Sequence, residues 1–275
     1  MRTALYVPGS SPRMIEKSRE IDVDAVIFDL EDAVSAAEKE SARARVADEL
    51  RHDSSMVRWV RVNPVDSAEH LDDLRAVLST SPDGILLPMA DPEAVAALDR
   101  FLDNAGSEAS NVPIIALVET ARGLLEVAAL CRASSRLTGL QLGAEDLTAE
   151  LGVERTAGGE EIRFARHQLA LAAHAHGLMA IDTPSLAIGD DDALRADTAI
   201  ARSCGMTAKT CIHPAQVRVV EAAFRPNPAE VAWAERVLAA AEQATRDGKG
   251  AVALDGQMID APVVARARRI LAAQN

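Results

Sequence analysis

Cysteine is scarce in this 275-residue chain: Cys131, Cys204 and Cys211 are the only three, and no C-x-x-C spacing joins them. That excludes a disulfide framework and a thiolate zinc site, and leaves buried, inert thiols as the expectation. Aromatic residues supply 3% of the chain against 48% for all hydrophobic types, so the core must be aliphatic, as suits parallel strands covered by helices. No run approaches the roughly 20 apolar residues needed to span a bilayer, and the opening MRTALYVPGSSPRM has no apolar stretch of signal-peptide length. The expectation is a cytoplasmic protein without a membrane partner. Positive charge is in deficit as well. The 29 Lys and Arg against 42 Asp and Glu give a formal net charge of -13, and the resulting repulsion excludes nucleic acid as the main partner. Any polyanionic ligand must then meet a local basic cluster. The chain also lacks a G-x-S-x-G elbow, a G-x-x-x-x-G-K-[ST] loop and an H-E-x-x-H helix, which removes several common enzyme classes.

What is present is alternation. Eight short aliphatic or β-branched runs, Thr3–Val7, Ala25–Leu30, Val57–Val62, Gly84–Pro88, Pro113–Val118, Leu137–Leu142, Leu178–Ile181 and Ala208–Ile212, are separated by amphipathic segments such as Ala36–Leu50, Glu93–Leu102, Gly123–Cys131 and Glu160–Gly177. Strand and helix repeated eight times predict an α/β fold, a (β/α)8 barrel; an open doubly wound sheet carries the same alternation. The barrel is expected over residues 1–224. A C-terminal helical extension over 225–275, with helices near Ala229–Arg246 and Ala261–Ala273 around a turn at 247–250, exceeds what a minimal barrel needs. It is expected to cover the mouth or dock on a neighbouring subunit.

Polar clusters fall where most of the strands end, and in a barrel those ends share the face that carries active sites. Glu119 and Asp146 come from adjacent strands, so their carboxylates can share one hard cation whose remaining positions stay open, an arrangement suited to Mg²⁺. Taken singly, each reads as a helix cap or a partner of Arg122. Arg61 closes an alternating strand and points to the mouth, where it can bind a carboxylate or developing enolate, or pair with Asp29, Glu31 or Asp32. Arg13 and Lys17 share one face of a helix, which by default is a solvated face and otherwise a phosphate contact. His213 is the one histidine at a strand end. His174 and His176 diverge too far to chelate.

The segments LYVPGSSPRM, VIFDLEDAV with Lys39 and Ala42-Arg43 following, WVRVNP, LVETARG, LGAEDL, CIHPAQV and DGQMIDAPVVARARRIL resemble, in order and spacing, the citrate lyase β-subunit-like family, relatives of malyl-CoA and citramalyl-CoA lyases. The resemblance spans essentially the whole chain. It implies a barrel assembled as a homotrimer or dimer of trimers, with Mg²⁺ between Glu119 and Asp146 and with Arg61 steadying a thioester enolate. It further implies that the amides of Gly143, Ala144 and Glu145 hold a 2-oxo acid carboxylate, and that CoA is met by Ser10, Arg13, Lys17 and His213. Asp260, in the M-I-D segment, is implied as an acid or base reaching a neighbouring subunit's site. One departure stands out: the relatives commonly read L-P-K after the fourth strand, and this chain reads Leu87-Pro88-Met89.

The expected activity is cleavage or formation of a 3-hydroxy-carboxyacyl-CoA of the citramalyl, malyl or 3-hydroxy-3-methylglutaryl type, with acetyl-CoA and an oxo acid as products. Two rivals stand beside it. One is a subunit of a citrate lyase-type complex acting on an acyl-carrier-protein thioester; the other is a CoA-independent pyruvate aldolase using the same metal pair.

Overall fold

A computed structural model describes residues 1–106, 111–246, 248 and 252–274. Eight strands, β1 (Thr3–Pro8), β2 (Ala25–Asp29), β3 (Val57–Arg61), β4 (Gly84–Leu87), β5 (Ile114–Val118), β6 (Leu137–Leu142), β7 (Met179–Asp182) and β8 (Ala208–Cys211), pair in parallel in sequence order. β1 pairs with β8 and closes the barrel. Every expected strand is there, each end within one residue of its predicted place. The open-sheet alternative is thereby excluded.

Side chains alternate across a strand, and in each strand one parity faces the barrel axis. Ala4, Ala25, Ile27, Trp59, Leu86, Ile115, Leu117, Ile181 and Ala208 form that interior, with Tyr6 and Met179 packed on it. Trp59 is the large aromatic here, and it fits because Gly84 lies opposite it in register. A Cβ at Gly84 would sit 2.1 Å from the indole. Continuing the inward parity past each strand's last turn leads to Asp29, Arg61, Glu119, Gln141, Gly143, Thr183 and Ile212, the residues that reach the C-terminal mouth.

Helices α1 (Pro12–Ser18), α2 (Lys39–Leu50), α3 (His70–Leu78), α4 (Pro92–Asn104), α5 (Ala121–Leu125), α6 (Val127–Leu130), α7 (Ala144–Leu151), α8 (Glu160–His176), α9 (Asp191–Ser203) and α10 (Pro214–Phe224) follow the strands. The segment Gly123–Cys131, expected as one helix, breaks at Glu126, whose φ of -96° and ψ of 8° are not helical. α7 was implied only by the cap reading of Asp146, and α10 was not anticipated, although Pro214 at its start is a usual helix-opening residue.

The chain divides into two compact units, Met1–Glu221 and Ala222–Asn275. In the second, α11 (Pro228–Arg246) packs on α12 (Ala261–Ala272), burying Ala234, Val237 and Ala267 with Ile259. This extension is not purely helical. Strands β9 (Val252–Leu254) and β10 (Gln257–Ile259) pair antiparallel, joined by Asp255-Gly256 with φ of 51° and 79°. Two positive φ values in a two-residue loop match the right-handed strand twist, and Asp-Gly is a favoured pair for it. Of the expected turn at 247–250, all but Gly248 lies outside the described residues. Among the described residues no helix is long and apolar enough to cross a membrane.

Candidate active site

Asp29 and Arg61 end neighbouring strands and are register partners, which sets the guanidinium against the carboxylate. Arg61 donates from Nε to Asp29 Oδ1 at 2.7 Å and from Nη2 to Oδ2 at 2.6 Å. Its Nη1 lies 2.8 Å from Glu31 Oε2 and 3.4 Å from Asp32 Oδ2. The Glu31 contact is close in distance, yet Oε2 has no partner in hydrogen-bonding geometry, so it is a Coulombic contact only. The guanidinium carbon stands 5.0 Å over the Tyr6 ring, a cation–π placement. Burial alone would lower the Arg61 pKa, but the Asp29 hydrogen bonds and nearby anions hold it well above its ordinary value. Arg61 is a fixed cation.

The loop after β2 is pinned from behind. Lys39 Nζ donates to Leu30 O and Glu31 O, both at 2.8 Å, and to Asn63 Oδ1 at 2.7 Å. Asn63 Nδ2 reaches Leu30 O at 2.9 Å and Asp73 Oδ2 at 2.6 Å. His70 is buried, with Nδ1 2.7 Å from Asn63 O, and so belongs to this support.

Across the mouth, Glu119 follows β5 and is 3% exposed. Its Oε1 accepts from the Met89 amide at 2.6 Å. It is neither a helix cap nor a partner of Arg122: Thr120 caps α5, and Arg122 pairs with Glu93 at 2.8 Å and Glu126 at 3.4 Å. Burial pushes the Glu119 carboxyl up to about 8; the Met89 amide opposes this, Glu31 and Asp146 add to it, and Arg61 opposes. Glu31 is pushed up to about 7, mainly by burial. Asp146 lies in the first turn of α7. Glu145, beside it, pairs with Arg155 at 2.5 Å, and the Ala144 amide points to Thr183 Oγ1 at 3.4 Å.

These groups line a cavity of about 420 Å³. Asp29, Asp32, Arg61, Glu119 and Asp146 stand on its wall with Gly143, Ala144 and Glu145. Tyr6 and Gln141, joined by a 2.8 Å hydrogen bond from Gln141 Nε2 to the Tyr6 hydroxyl, also line it, as do Thr183 and Ile212. Sequence reasoning passed over Tyr6, Gln141 and Ile212, although their inward parity marks them.

The other expected site residues fall elsewhere. Ser10 Oγ donates to Ala33 O at 3.2 Å; Arg13 and Lys17 are exposed on α1; His213 is exposed, its Nδ1 accepting from the Ala215 amide at 3.2 Å. None of them lines the cavity. Asp260 lies in the second unit, where it caps α12 by accepting from the Val263 amide at 3.1 Å. Asp182, one of the polar residues at a strand end, does not reach the mouth: it faces outward and is wholly buried with Arg166 and Lys209. Its neighbour Ile181 takes the inward parity.

The donor set suits a hard divalent cation. Several carboxylates face a single guanidinium already matched by Asp29, and Glu119 is driven toward protonation chiefly by burial, with Glu31 and Asp146 adding to it. Among the described residues no three His, Cys, Asp or Glu side chains form a metal-enclosing group. A cation held by Glu119 and Asp146 would keep most of its coordination sphere for water and substrate oxygens, as Mg²⁺ does.

Comparison with known proteins places this geometry. The (3S)-malyl-CoA thioesterase of Cereibacter sphaeroides is 39% identical over 277 residues, 98% of this chain and 93% of that protein. The citrate lyase subunit beta of Haemophilus influenzae is 36% identical, over 98% of this chain and 95% of its own. The crystal structure of CitE from Mycobacterium tuberculosis, in complex with magnesium, acetoacetate and coenzyme A, matches with a TM-score of 0.85 and 35% identity, covering 99% of this chain and 97% of that one. A family model, HpcH/HpaI aldolase/citrate lyase, matches residues 2–214, and the chain belongs to that family.

Proposed function

We propose that the protein is a Mg²⁺-dependent carbon–carbon lyase that cleaves or forms a 3-hydroxy-carboxyacyl-CoA of the citramalyl, malyl or 3-hydroxy-3-methylglutaryl type. The observation that carries this reading is the excess of carboxylate around Glu119 and Asp146, set beside one immobilised arginine in a cavity that admits a small acid. The magnesium, acetoacetate and coenzyme A bound by the Mycobacterium tuberculosis relative support it.

Glu119 and Asp146 hold the cation. Bound there, Mg²⁺ supplies Lewis acidity to the substrate's hydroxyl and carboxylate oxygens. As the carbon–carbon bond breaks, the hydroxyl passes its proton to the carboxylate of Asp260 from a neighbouring subunit, acting first as base, and the bonding pair passes to the thioester as an enolate. Arg61, held flat between Asp29 and the Tyr6 ring, presents its remaining N–H to that enolate oxygen, with no reorganisation needed when charge develops. The amides of Ala144 and Glu145, at the start of α7, take the carboxylate of the departing oxo acid; the Gly143 amide, expected to join them, instead donates to Val118 O at 2.9 Å and leaves Gly143 only as a bare wall of the cavity. Ser10, Arg13, Lys17 and His213 attend the CoA moiety. Asp260 of a neighbouring subunit in a homotrimer, or a dimer of trimers, returns a proton to the enolate carbon.

Product analysis tests this reading. Incubation with malyl-CoA and citramalyl-CoA in Mg²⁺ is expected to yield acetyl-CoA and glyoxylate or pyruvate. Release of free CoA with intact hydroxy acid would instead identify thioester hydrolysis, and turnover only on a carrier-protein thioester would identify a complex subunit. Cleavage of 4-hydroxy-2-oxo acids without CoA would identify an aldolase. For Asp260, co-expressed Arg61→Ala and Asp260→Ala chains, each inactive alone, are expected to regain part of the activity in hybrid oligomers. Verified hybrids without activity would remove Asp260 from a neighbour's site.

A further inference from the structure

Hydrogen bonding between parallel strands advances by two residues on each side. Along β4 the Ile85 amide donates to Pro113 O, so the same ladder would bring the Met89 amide to Leu117 O. The donor found there is Ala90 N, at 3.0 Å. One residue has been inserted after β4, a bulge of the kind that bends a strand end and re-aims a group. The inserted residue carries the strain, since Met89 has φ of 50°, in the left-handed region. That conformation is unfavourable for a residue bearing a Cβ. The Met89 side chain is 44% exposed, so burial of that side chain does not explain the cost. What the bulge achieves is a spare main-chain N–H, turned onto Glu119 Oε1 at 2.6 Å.

The other oxygen is confined by a different neighbour. Glu119 and Gly143 follow the register partners Val118 and Leu142, and a Cβ on Gly143 would lie 2.4 Å from Glu119 Cβ and 2.5 Å from Oε2. The carboxylate is thus hydrogen-bonded on one oxygen and laid over a bare glycine on the other. We infer that Met89 is a positioning residue: its main-chain amide, released by a left-handed one-residue bulge, fixes Glu119 so that Oε2 alone is offered to the cation. This rests on the reading of Glu119 as a cation ligand. Because the main chain acts, the side chain at position 89 is free to vary in charge and size, provided the left-handed conformation stays accessible.

Binding of Mn²⁺ to the purified full-length protein, followed by electron paramagnetic resonance without substrate, tests the inference. Met89→Gly, Met89→Asn and Met89→Lys are expected to hold Mn²⁺ within about twofold of wild type, because each reaches or tolerates the left-handed region at no greater cost than Met. Met89→Val and Met89→Thr, β-branched and poorly suited to it, are expected to bind about tenfold more weakly. Their apparent KM for Mg²⁺ should rise accordingly, while kcat at saturating Mg²⁺ changes little. Replacing residue 89 by its α-hydroxy acid, which deletes only the N–H, is expected to give the same loss and decides the matter if the β-branched variants do not fold. Folded Val, Thr or hydroxy-acid variants with wild-type affinity would overturn the role of Met89. So would an affinity that tracks side-chain charge, with Lys as weak as Val. If wild type takes up no Mn²⁺, or Glu119→Gln keeps it, the cation reading itself falls and this inference with it.

Discussion

Behind β7 and β8, Arg166 and Lys209 face Asp182 and Asp197, and all but the partly exposed Asp197 are fully buried. Arg166 clasps Asp182 at 2.8 and 2.9 Å and reaches Asp197 at 2.6 Å, while Lys209 Nζ meets Asp182, Asp197 and Thr183 O at 2.6–2.7 Å. Two cations answer two anions. At the mouth of the same barrel, Arg61 stands among Asp29, Glu31 and Asp32, with Glu119 and Asp146 opposite. Burial would raise the Asp197 carboxyl, but Lys209 and Arg166 outweigh it and hold it below the usual range; burial pushes Glu119 up to about 8, and the Met89 amide and Arg61 offset only part of it. A balanced cluster is complete without a ligand and serves to tie strands to helices. The unbalanced one is the cluster we propose as the cation site.

Exchanging the roles of the two clusters by mutation should expose this difference. Glu119→Ala or Asp146→Ala is expected to lower turnover by at least about 10³-fold and abolish divalent-cation binding, since each would remove a proposed ligand of the cation. The melting temperature should hold, because both side chains stand on the cavity wall and neither belongs to the packed barrel interior. Near-normal activity in Mg²⁺ would remove the residue from the site. Lys209→Met should do the reverse. It leaves Asp182 and Asp197 with a single cation, and breaking a buried pair costs about 3–5 kcal/mol. Chemical denaturation should show that loss while Mn²⁺ affinity stays near wild type; an unchanged midpoint would mean that the cluster does not stabilise the barrel.

Arg61→Lys keeps the charge and loses the planar fork that grips Asp29 on two atoms. The expected result is a kcat about 100-fold lower with KM for the CoA ester changed by no more than a few-fold. Equal effects on both would make Arg61 a simple binding group.

The smallest effect concerns pH. Folded, the Glu119 carboxyl titrates at about 8, against about 4.3 unfolded, so the folded metal-free protein holds the extra proton. That contribution to stability is complete below the unfolded value and is lost as pH rises to about 8. The melting temperature of the metal-free protein should fall across that window, and Glu119→Gln should flatten the slope. Asp197 acts in the opposite sense: its contribution is present above the unfolded value of about 3.9 and is lost on acidification through its lower folded value. A wild-type slope unaltered by Glu119→Gln would place the titrating group elsewhere.

Much of the site was legible because it obeys local rules. Two-residue alternation assigns Asp29 to the parity of Ile27, Arg61 to that of Trp59 and Glu119 to that of Leu117, and a closed parallel sheet brings those parities to one mouth. The same rule, carried one step further, finds Tyr6, Gln141 and Thr183 inward and Asp182 and Lys209 outward. The Asp255-Gly256 turn was equally open to reading, since the pair favours a hairpin wherever it occurs between strand formers.

The sequence by itself determined the order of elements, the aliphatic core and which residue types stand at the strand ends, because periodicity, turn chemistry and charge are properties of neighbours along the chain. Only the tertiary structure decided how the charges divide. Arg166 meets Asp197 from a helix 31 residues away, Gln141 meets Tyr6 from 135 residues away, and the Met89 amide finds Glu119 through one residue inserted between two strands. Such contacts depend on register and on barrel closure, which no short stretch of sequence contains.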